Sequence, residues 1–552
     1  MSRRHGQTTY YIKGEGFLGE EVAREVGTLR TAAFAHSLVV ADPQTGEELV
    51  LDSNPDQEND PERAFQFSRL FSEEESFKPT VKGLSELGEA MDDTPNLSDH
   101  PELPAGFTYV GQFIDHDITF DATDGLPRGR LSVDQIVSGR SPSLDLDSLY
   151  GLGPDHEQKN LYEADEVHLR IGHTTGVDNF GVDTTFSLPN DLPRGDNPAN
   201  PREASIGDPR NDENLAIAQL HLAFLKFHNV VVAQLEPLGL SGKELFEAAR
   251  RTVTLHYQWI VLYDFLPRIL DQTILHKVIT RGPTLFKVPP GETPTMPIEF
   301  SVAAYRFGHS MIRNQYEWNS IFETAGPGNS PGTLDLLFRF SGLSGDMFGA
   351  PTLPTNWVVD WTRLFDFKDV PGFKPNPKLN RTRSIDTALA LGLGKLSVSP
   401  GTGFKSPKLA VRNLLRGRLL KLPSGQKVAR DLKIPVLGPE QISQGPHAAI
   451  VKKHKFDTRT PLWYYILKEA EVLGKGQRLG PVGSTIVAET FVGLIKASKY
   501  SILSDEHPYW RPHLPSLRPG NFTMVDLLLL VNEINPLGST GDLQPSSTQP
   551  AV

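Results

Sequence analysis

Residues Gly111–Phe120 read GQFIDHDITF. A glutamine, a histidine and two aspartates fall within six residues, on a segment otherwise rich in Phe and Ile. On a helix, residues four apart share a face, so Gln112 and His116 point together with Asp115 beside them, while Asp117 points elsewhere. Such a cluster suits proton transfer, because histidine changes charge near neutral pH. It also suits a helix N-terminus with a satisfied histidine, so the choice depends on the rest of the chain. A second candidate is G-x-G-x-x-G at Gly14, Gly16 and Gly19, with Asp42 about 20 residues beyond. The preceding Thr8–Ile12 lacks the buried Val/Ile run of a dinucleotide-binding strand, and no train of βαβ units follows. It therefore reads as a glycine-rich turn in an N-terminal arm. Gly392–Lys395 is not a Walker A loop, since the upstream Gly and the Ser/Thr are missing.

The elements that position these residues are helical. Glu213–Leu235, Lys243–Phe265, Pro354–Phe367 and Ser484–Leu503 carry apolar residues at three- and four-residue steps. Strand patterns are few and short. The expected fold is mainly α with little β and long irregular connections. Gly (48) and Pro (44) are spread throughout and mark no interdomain linker, and no internal repeat is present. Residues 52–64 read as a polar loop. The organisation expected is an N-terminal arm over 1–60, one catalytic domain over 61–534, and a disordered tail over 535–552, rich in Pro, Ser, Thr and Gly.

Composition excludes several classes. With no cysteine in 552 residues, disulfides, iron–sulfur clusters, Cys-ligated zinc and Cys-ligated haem are ruled out. A net charge of -12 argues against a nucleic-acid partner. The N-terminus lacks the apolar stretch of a Sec signal peptide. No apolar run is expected to reach the length of a membrane span, the longest lying near Met524–Val531. Localisation is thus expected to be cytoplasmic, or secreted without a Sec signal.

Three further segments follow GQFIDHD in order: Gly207–Glu213 (GDPRNDE), Ala304–His309 (AYRFGH) and Val411–Arg418 (VRNLLRGR). Weaker matches lie at Leu144–Gly151, Lys226–Asn229 and Thr355–Asp360. Together they resemble the animal-type haem peroxidases of the peroxidase–cyclooxygenase superfamily, in its bacterial branch, over roughly residues 60–530. The resemblance implies a haem b buried between central helices. It also implies an enzyme that reduces H2O2 and oxidises small donors (halide, thiocyanate or phenols) through a ferryl intermediate, in keeping with a response to oxidative stress. Oligomeric state stays open.

The resemblance assigns roles by position. His309 is the axial iron ligand, and Asn413 accepts its other ring N–H. His116 shuttles the peroxide proton, Arg210 stabilises charge on the leaving oxygen, and Gln112 holds peroxide, halide or water. Arg306 pairs with a haem propionate. Asp115 and Glu213 match carboxylates that form ester links to haem methyl groups. Asn214 stands where one relative adds a methionine link, so chloride oxidation is not expected. A calcium ion is implied at Asp117, Ser141, Ser143 (by its carbonyl), Asp145 and Asp147. The rival within the superfamily is a fatty-acid dioxygenase, which places a tyrosine three residues before the proximal histidine. Here that residue is Arg306, and Tyr305 is one position off register. A non-catalytic adhesion protein on the same fold is the rival of another class.

Overall fold

The structure, a computed structural model, describes residues 10–11, 37–41, 48–52, 65–92, 98–121, 132–156, 159–289, 291–397, 408–504 and 509–538. The glycine motif at Gly14–Gly19, most of the 52–64 loop and residues 539–552 of the expected tail lie outside them. The fold is mainly α, as the sequence implies, and the longest described strand has 6 residues.

Seven helices frame the site: α1 (Val81–Asp92), α2 (Gly106–Ile118), α3 (Leu215–Leu235), α4 (Gly242–Trp259), α5 (Leu409–Leu419), α6 (Leu462–Leu473) and α7 (Pro481–Ala497). Helix α3 starts where Asn214 Oδ1 accepts from Ile217 N at 3.0 Å, satisfying one of the amides a helix start leaves open. Glu213, expected inside the helix, sits in the turn before it. Contrary to the sequence reading, the helical stretch Leu215–Leu238 is long and apolar enough to cross a membrane, judged on its most apolar window of 18 residues. Its burial accounts for this: 83% of that window lies inside the protein, where α3 packs against α2 and α4. Helix α4 runs on through a π-helical turn, Ile260–Phe265, covering the expected Lys243–Phe265.

Two expected helices differ. Pro354–Phe367 forms only the 3-10 turns Thr355–Trp357 and Trp361–Arg363. The carbonyls a helix would use are taken by side chains: Trp318 Nε1 donates to Trp357 O, and Asn319 Nδ2 donates to Asn356 O and Val358 O. The aromatic spacing that mimicked a helix instead stacks Trp357 between Phe322 and Phe340, at 3.8 and 4.0 Å. Ser484–Leu503 is helical only to Ala497. Ser498 turns extended, and its hydroxyl donates back to Leu494 O.

Helix α2 crosses the middle of the core. Phe113 stacks on Phe224 of α3 at 4.5 Å and meets Tyr257 of α4 edge-on at 6.1 Å. A 3-10 segment, Ala304–Met311, lies across α2, and the Tyr305 hydroxyl donates to Gly111 O at 3.2 Å. Helix α6 backs this segment, with Trp463 Nε1 donating to Arg306 O at 3.2 Å.

One buried charge in this frame has a testable cost. Glu469 of α6 accepts from Val482 N and Gly483 N at the start of α7. Those amides favour the carboxylate, yet burial outweighs them and pushes its pKa up to about 7. A folded pKa above the unfolded one contributes full stability below pH 4.5, lost as pH rises through 7. By about 1.4 kcal/mol per pKa unit the loss is about 3 kcal/mol. Glu469→Gln is therefore expected to raise the unfolding midpoint at pH 8 and to have little effect at pH 4.5. Equal shifts at both pH values in thermal unfolding would refute this account.

Candidate active site

Helix α2 delivers Gln112, Asp115 and His116 on adjoining turns, and the Gly207–Asn214 turn meets it from the side. Gly207 permits that approach: a Cβ there would lie 2.7 Å from Ser148 O and 2.9 Å from Gly151 N. Gln112 Nε2 donates to Glu213 Oε1 at 2.5 Å, and Asn214 Nδ2 donates to Gln112 Oε1 at 3.3 Å, so the Gln112 amide is held at both ends. His116 is buried, with Nε2 3.7 Å from Glu213 Oε1 and Nδ1 2.9 Å from Asn211 Oδ1. Burial, then the nearby Arg210 charge, hold its pKa down to about 3, so the imidazole is neutral at pH 7.

Arg210 is buried with its counter-ion. Its Nε and Nη2 donate to the Asp208 carboxylate, and Nη2 also donates to His116 O at 2.8 Å. Arg140 Nε donates to Asp208 from another side at 2.7 Å. Burial opposes the Asp208 charge, but the two guanidinium groups outweigh it and hold its pKa well below the ordinary value. Arg210 thus braces the α2 backbone as well as bringing a positive charge to His116. The sequence reading named neither Asp208 nor Arg140 for this site.

On the other wall, the 3-10 segment carries Arg306 and His309 three residues apart, which on a 3-10 helix places them on one edge. Asn413 of α5 bridges them. Asn413 was expected to accept from the His309 ring. Instead its Oδ1 takes Arg306 Nη1 at 2.5 Å, and its Nδ2 faces His309 Nδ1 at 2.8 Å. The guanidinium draws the amide oxygen to itself, so in this arrangement His309 Nδ1 accepts. Arg306, expected to meet a propionate, is likewise bound to Asn413 and, through Nε, to Ser301 O at 3.0 Å. Ligation of a metal through His309 Nε2 needs the proton on Nδ1, and hence the amide turned over. That turn would take the Asn413 oxygen from Arg306 Nη1, while Nε stays on Ser301 O.

The residues fit a haem. Gln112, Asp115, Arg306, Gly308 and His309 are only half-buried amid a closed core. A Cβ built on Gly308 would meet nothing within 4 Å, so open space adjoins the proximal segment. The donor set suits the group: an imidazole on one wall, a neutral imidazole and an amide on the other, with carboxylates and a guanidinium at hand. A separate, partly open pocket of about 20 Å³ is lined by Asn413, Val302 and Trp463 but by neither histidine.

The acidic residues converge as well. Ligand oxygens of Asp117, Asp145 and Asp147 lie within 4.8 Å of one another. Leu146, in the left-handed region at φ 60°, turns its two neighbours toward Asp117 and donates its amide to Asp117 Oδ2 at 3.3 Å. Ser141 Oγ donates to Asp145 Oδ2 and Ser141 N to Asp147 Oδ2, both at 3.1 Å, and Ser143 N donates to Ser141 Oγ at 3.3 Å. Burial, then its aspartate neighbours, push Asp117 well up and Asp145 to about 7. Ser148, whose hydroxyl donates to Asp117 Oδ1 at 3.2 Å, joins the cluster and was not foreseen.

Comparison with known proteins agrees with this architecture. Residues 127–338 match the animal haem peroxidase family model. That stretch carries Arg210, Glu213, Arg306 and His309, while Gln112, His116 and Asn413 lie outside it. A peroxidase-like protein of Margaritifera margaritifera is 33% identical over 172 residues, 30% of this chain and 21% of that protein. The chain therefore spans about a fifth of this curated relative. Among solved structures, peroxidase A of Dictyostelium discoideum superposes with a TM-score of 0.60 at 18% identity, covering 87% of this chain and 95% of that one. A fatty acid alpha-dioxygenase of Oryza sativa reaches 0.58 at 14% identity, covering 86% and 82%. Both likenesses concern the fold. Over residues 127–338 the chain is thus similar to the animal haem peroxidases, and its fold is similar to that of a peroxidase and of a fatty acid dioxygenase.

Proposed function

We propose that this protein is a haem peroxidase that reduces H2O2 and oxidises small donors such as halide, thiocyanate or phenols. The observation that carries the reading is His116: a buried, neutral imidazole beside Gln112 and Glu213, on the helix that the His309 segment crosses. A haem bound between the two walls supplies an iron that accepts oxygen from peroxide and electrons from a donor. His309 would hold the iron and Asn413 would orient His309, while Arg306, once released from Asn413, would meet a propionate. His116 Nε2 takes a proton from peroxide and returns it to the departing oxygen. Gln112, held by Glu213 and Asn214, would offer its remaining N–H to peroxide. Arg210 adds positive charge beside His116, where negative charge develops.

Asp115 and Glu213 are the carboxylates proposed to anchor the haem, through ester links. Extraction with acidified organic solvent after peroxide treatment separates linked from unlinked haem. The main test is a haem titration with optical spectra before and after H2O2. One equivalent bound, with a spectrum that peroxide changes and a donor restores, is the expected result. No binding, or a bound haem indifferent to peroxide, would end the proposal. The dioxygenase reading is not favoured: Arg306 stands three residues before His309, and the Tyr305 phenol is engaged with Gly111 O and stacked on Phe300 at 4.8 Å.

Asp117, Asp145 and Asp147, with Ser141 and the Ser143 carbonyl, are proposed to bind Ca²⁺, whose charge offsets three close carboxylates. At a hundredfold excess over Kd the ion contributes about 2.7 kcal/mol. A chelator is expected to lower the unfolding midpoint of wild type and to leave Asp147→Asn nearly unmoved. Metal-free protein as isolated, with a midpoint blind to both chelator and added Ca²⁺, would remove the site.

A further inference from the structure

Asn211 joins two buried histidines from different helices. Its Oδ1 lies 2.9 Å from Nδ1 of His116 on α2, and its Nδ2 lies 2.9 Å from Nδ1 of His221 on α3. His116 is 4% exposed, and Asn211 and His221 are 0%. An amide oxygen only accepts and an amide nitrogen only donates. One imidazole must therefore present Nδ1–H to the bridge and the other a bare Nδ1. While the bridge stands and both rings are neutral, the two histidines hold opposite tautomers.

With the oxygen toward His116, that ring carries its proton on Nδ1 and leaves Nε2 bare on the Glu213 side. His221 then carries its proton on Nε2. Turning the amide over would reverse both rings. Only the orientation seen serves His116 through a full proton cycle. As a base it needs Nε2 bare, and as the conjugate acid it needs an acceptor for Nδ1–H, which the amide nitrogen cannot supply.

This orientation has a cost elsewhere. His221 Nε2 is buried without a hydrogen-bond partner, and the ring sits edge-on to Phe113, centroids 6.0 Å apart. A buried polar atom left unsatisfied is uncommon in a folded protein and calls for a reason. A fixed tautomer at His116 is such a reason.

We propose that Asn211 is a positioning residue that holds His116 with Nδ1 protonated and Nε2 bare, its amide nitrogen resting on the bare Nδ1 of His221. The catalytic half of this rests on the peroxidase reading. The tautomer half does not.

The test begins with ¹⁵N NMR of the haem-free full chain, labelled at histidine and assigned with His116→Gln and His221→Gln. Wild type is expected to show His116 protonated at Nδ1 and His221 at Nε2. In Asn211→Asp the carboxylate only accepts, so His116 keeps its tautomer and His221 moves its proton to Nδ1. Asn211→Leu removes the bridge, and His116 loses its preference. In haem-loaded protein, Asn211→Leu is expected to slow the reaction with H2O2 about 10–100-fold, the usual scale for a lost orienting partner. Asn211→Asp should stay within a few-fold of wild type. A wild-type His116 bare at Nδ1, or one indifferent to Asn211→Leu, overturns the proposal. A shifted tautomer with an unchanged peroxide rate overturns the catalytic half. Failure of wild type to bind haem refutes the peroxidase reading instead, and the NMR result stands apart from it.

Discussion

His309→Ala is expected to abolish stable haem binding while the protein stays folded. His309 is half-buried on the 3-10 segment, held by Asn413 at 2.8 Å and flanked edge-on by Trp463 with ring centroids 6.4 Å apart. With Asn413 turned over to accept from Nδ1, Nε2 would be the nitrogen to hold a metal. Losing an orienting partner typically weakens metal binding 10–100-fold, so losing the ligand itself should exceed about 100-fold. Because the ring is not fully buried, its removal opens no sealed cavity, and the unfolding midpoint should move little. Gel filtration after haem loading should show wild type carrying haem and the variant eluting without it, with added imidazole restoring part of the binding. A variant that keeps haem with an unaltered spectrum would take the axial role away from His309.

The parts of the site legible in the sequence are those held by local spacing. Gln112 and His116 are four residues apart on a helix, and that alone put them on one face. Arg306 and His309 could be paired by the same logic, although the segment is 3-10 and not α. Spacing cannot say which atom of an amide faces a neighbour: here the Asn413 oxygen faces Arg306 and its nitrogen faces His309. Its orientation is decided by Arg306, over a hundred positions away in the chain.

Asn211 and His221 escaped for a related reason: their partnership with His116 exists only after α3 packs on α2. A signal was present. Helix α3 is apolar on nearly every side yet carries Gln219, His221 and His228, each at most 3% exposed. Polar residues closed inside an apolar helix must find partners, and here Gln219 reaches Asn190 O, His228 reaches Val167 O, and His221 reaches Asn211. The acidic cluster shows the opposite case. Asp145 and Asp147 lie on the same face of any extended run, but Asp117 joins them only through the left-handed turn at Leu146. No periodicity announces a positive φ at a leucine.

His116→Ala is expected to separate proton transfer from haem binding. The ring supplies no ligand in the proposed arrangement, so the variant should load haem like wild type and give the same resting stoichiometry. What it loses is a base already neutral and already directed by Asn211. General acid–base catalysis contributes about 10²–10⁴-fold, equivalent to about 3–5 kcal/mol of barrier. Stopped-flow mixing with H2O2 should show the bimolecular step slowed by that factor. Later oxidation of a donor, which needs no proton from this ring at the outset, should change far less. Arg210 and Gln112 remain in the variant and account for the residual rate. Their positions depend on Asp208, Glu213 and Asn214 more than on the ring, since Arg210 meets only the backbone oxygen of residue 116. An unchanged bimolecular rate would show that the proton leaves peroxide by another route, and Glu213, 3.7 Å from the same nitrogen, would be the group to test in its place.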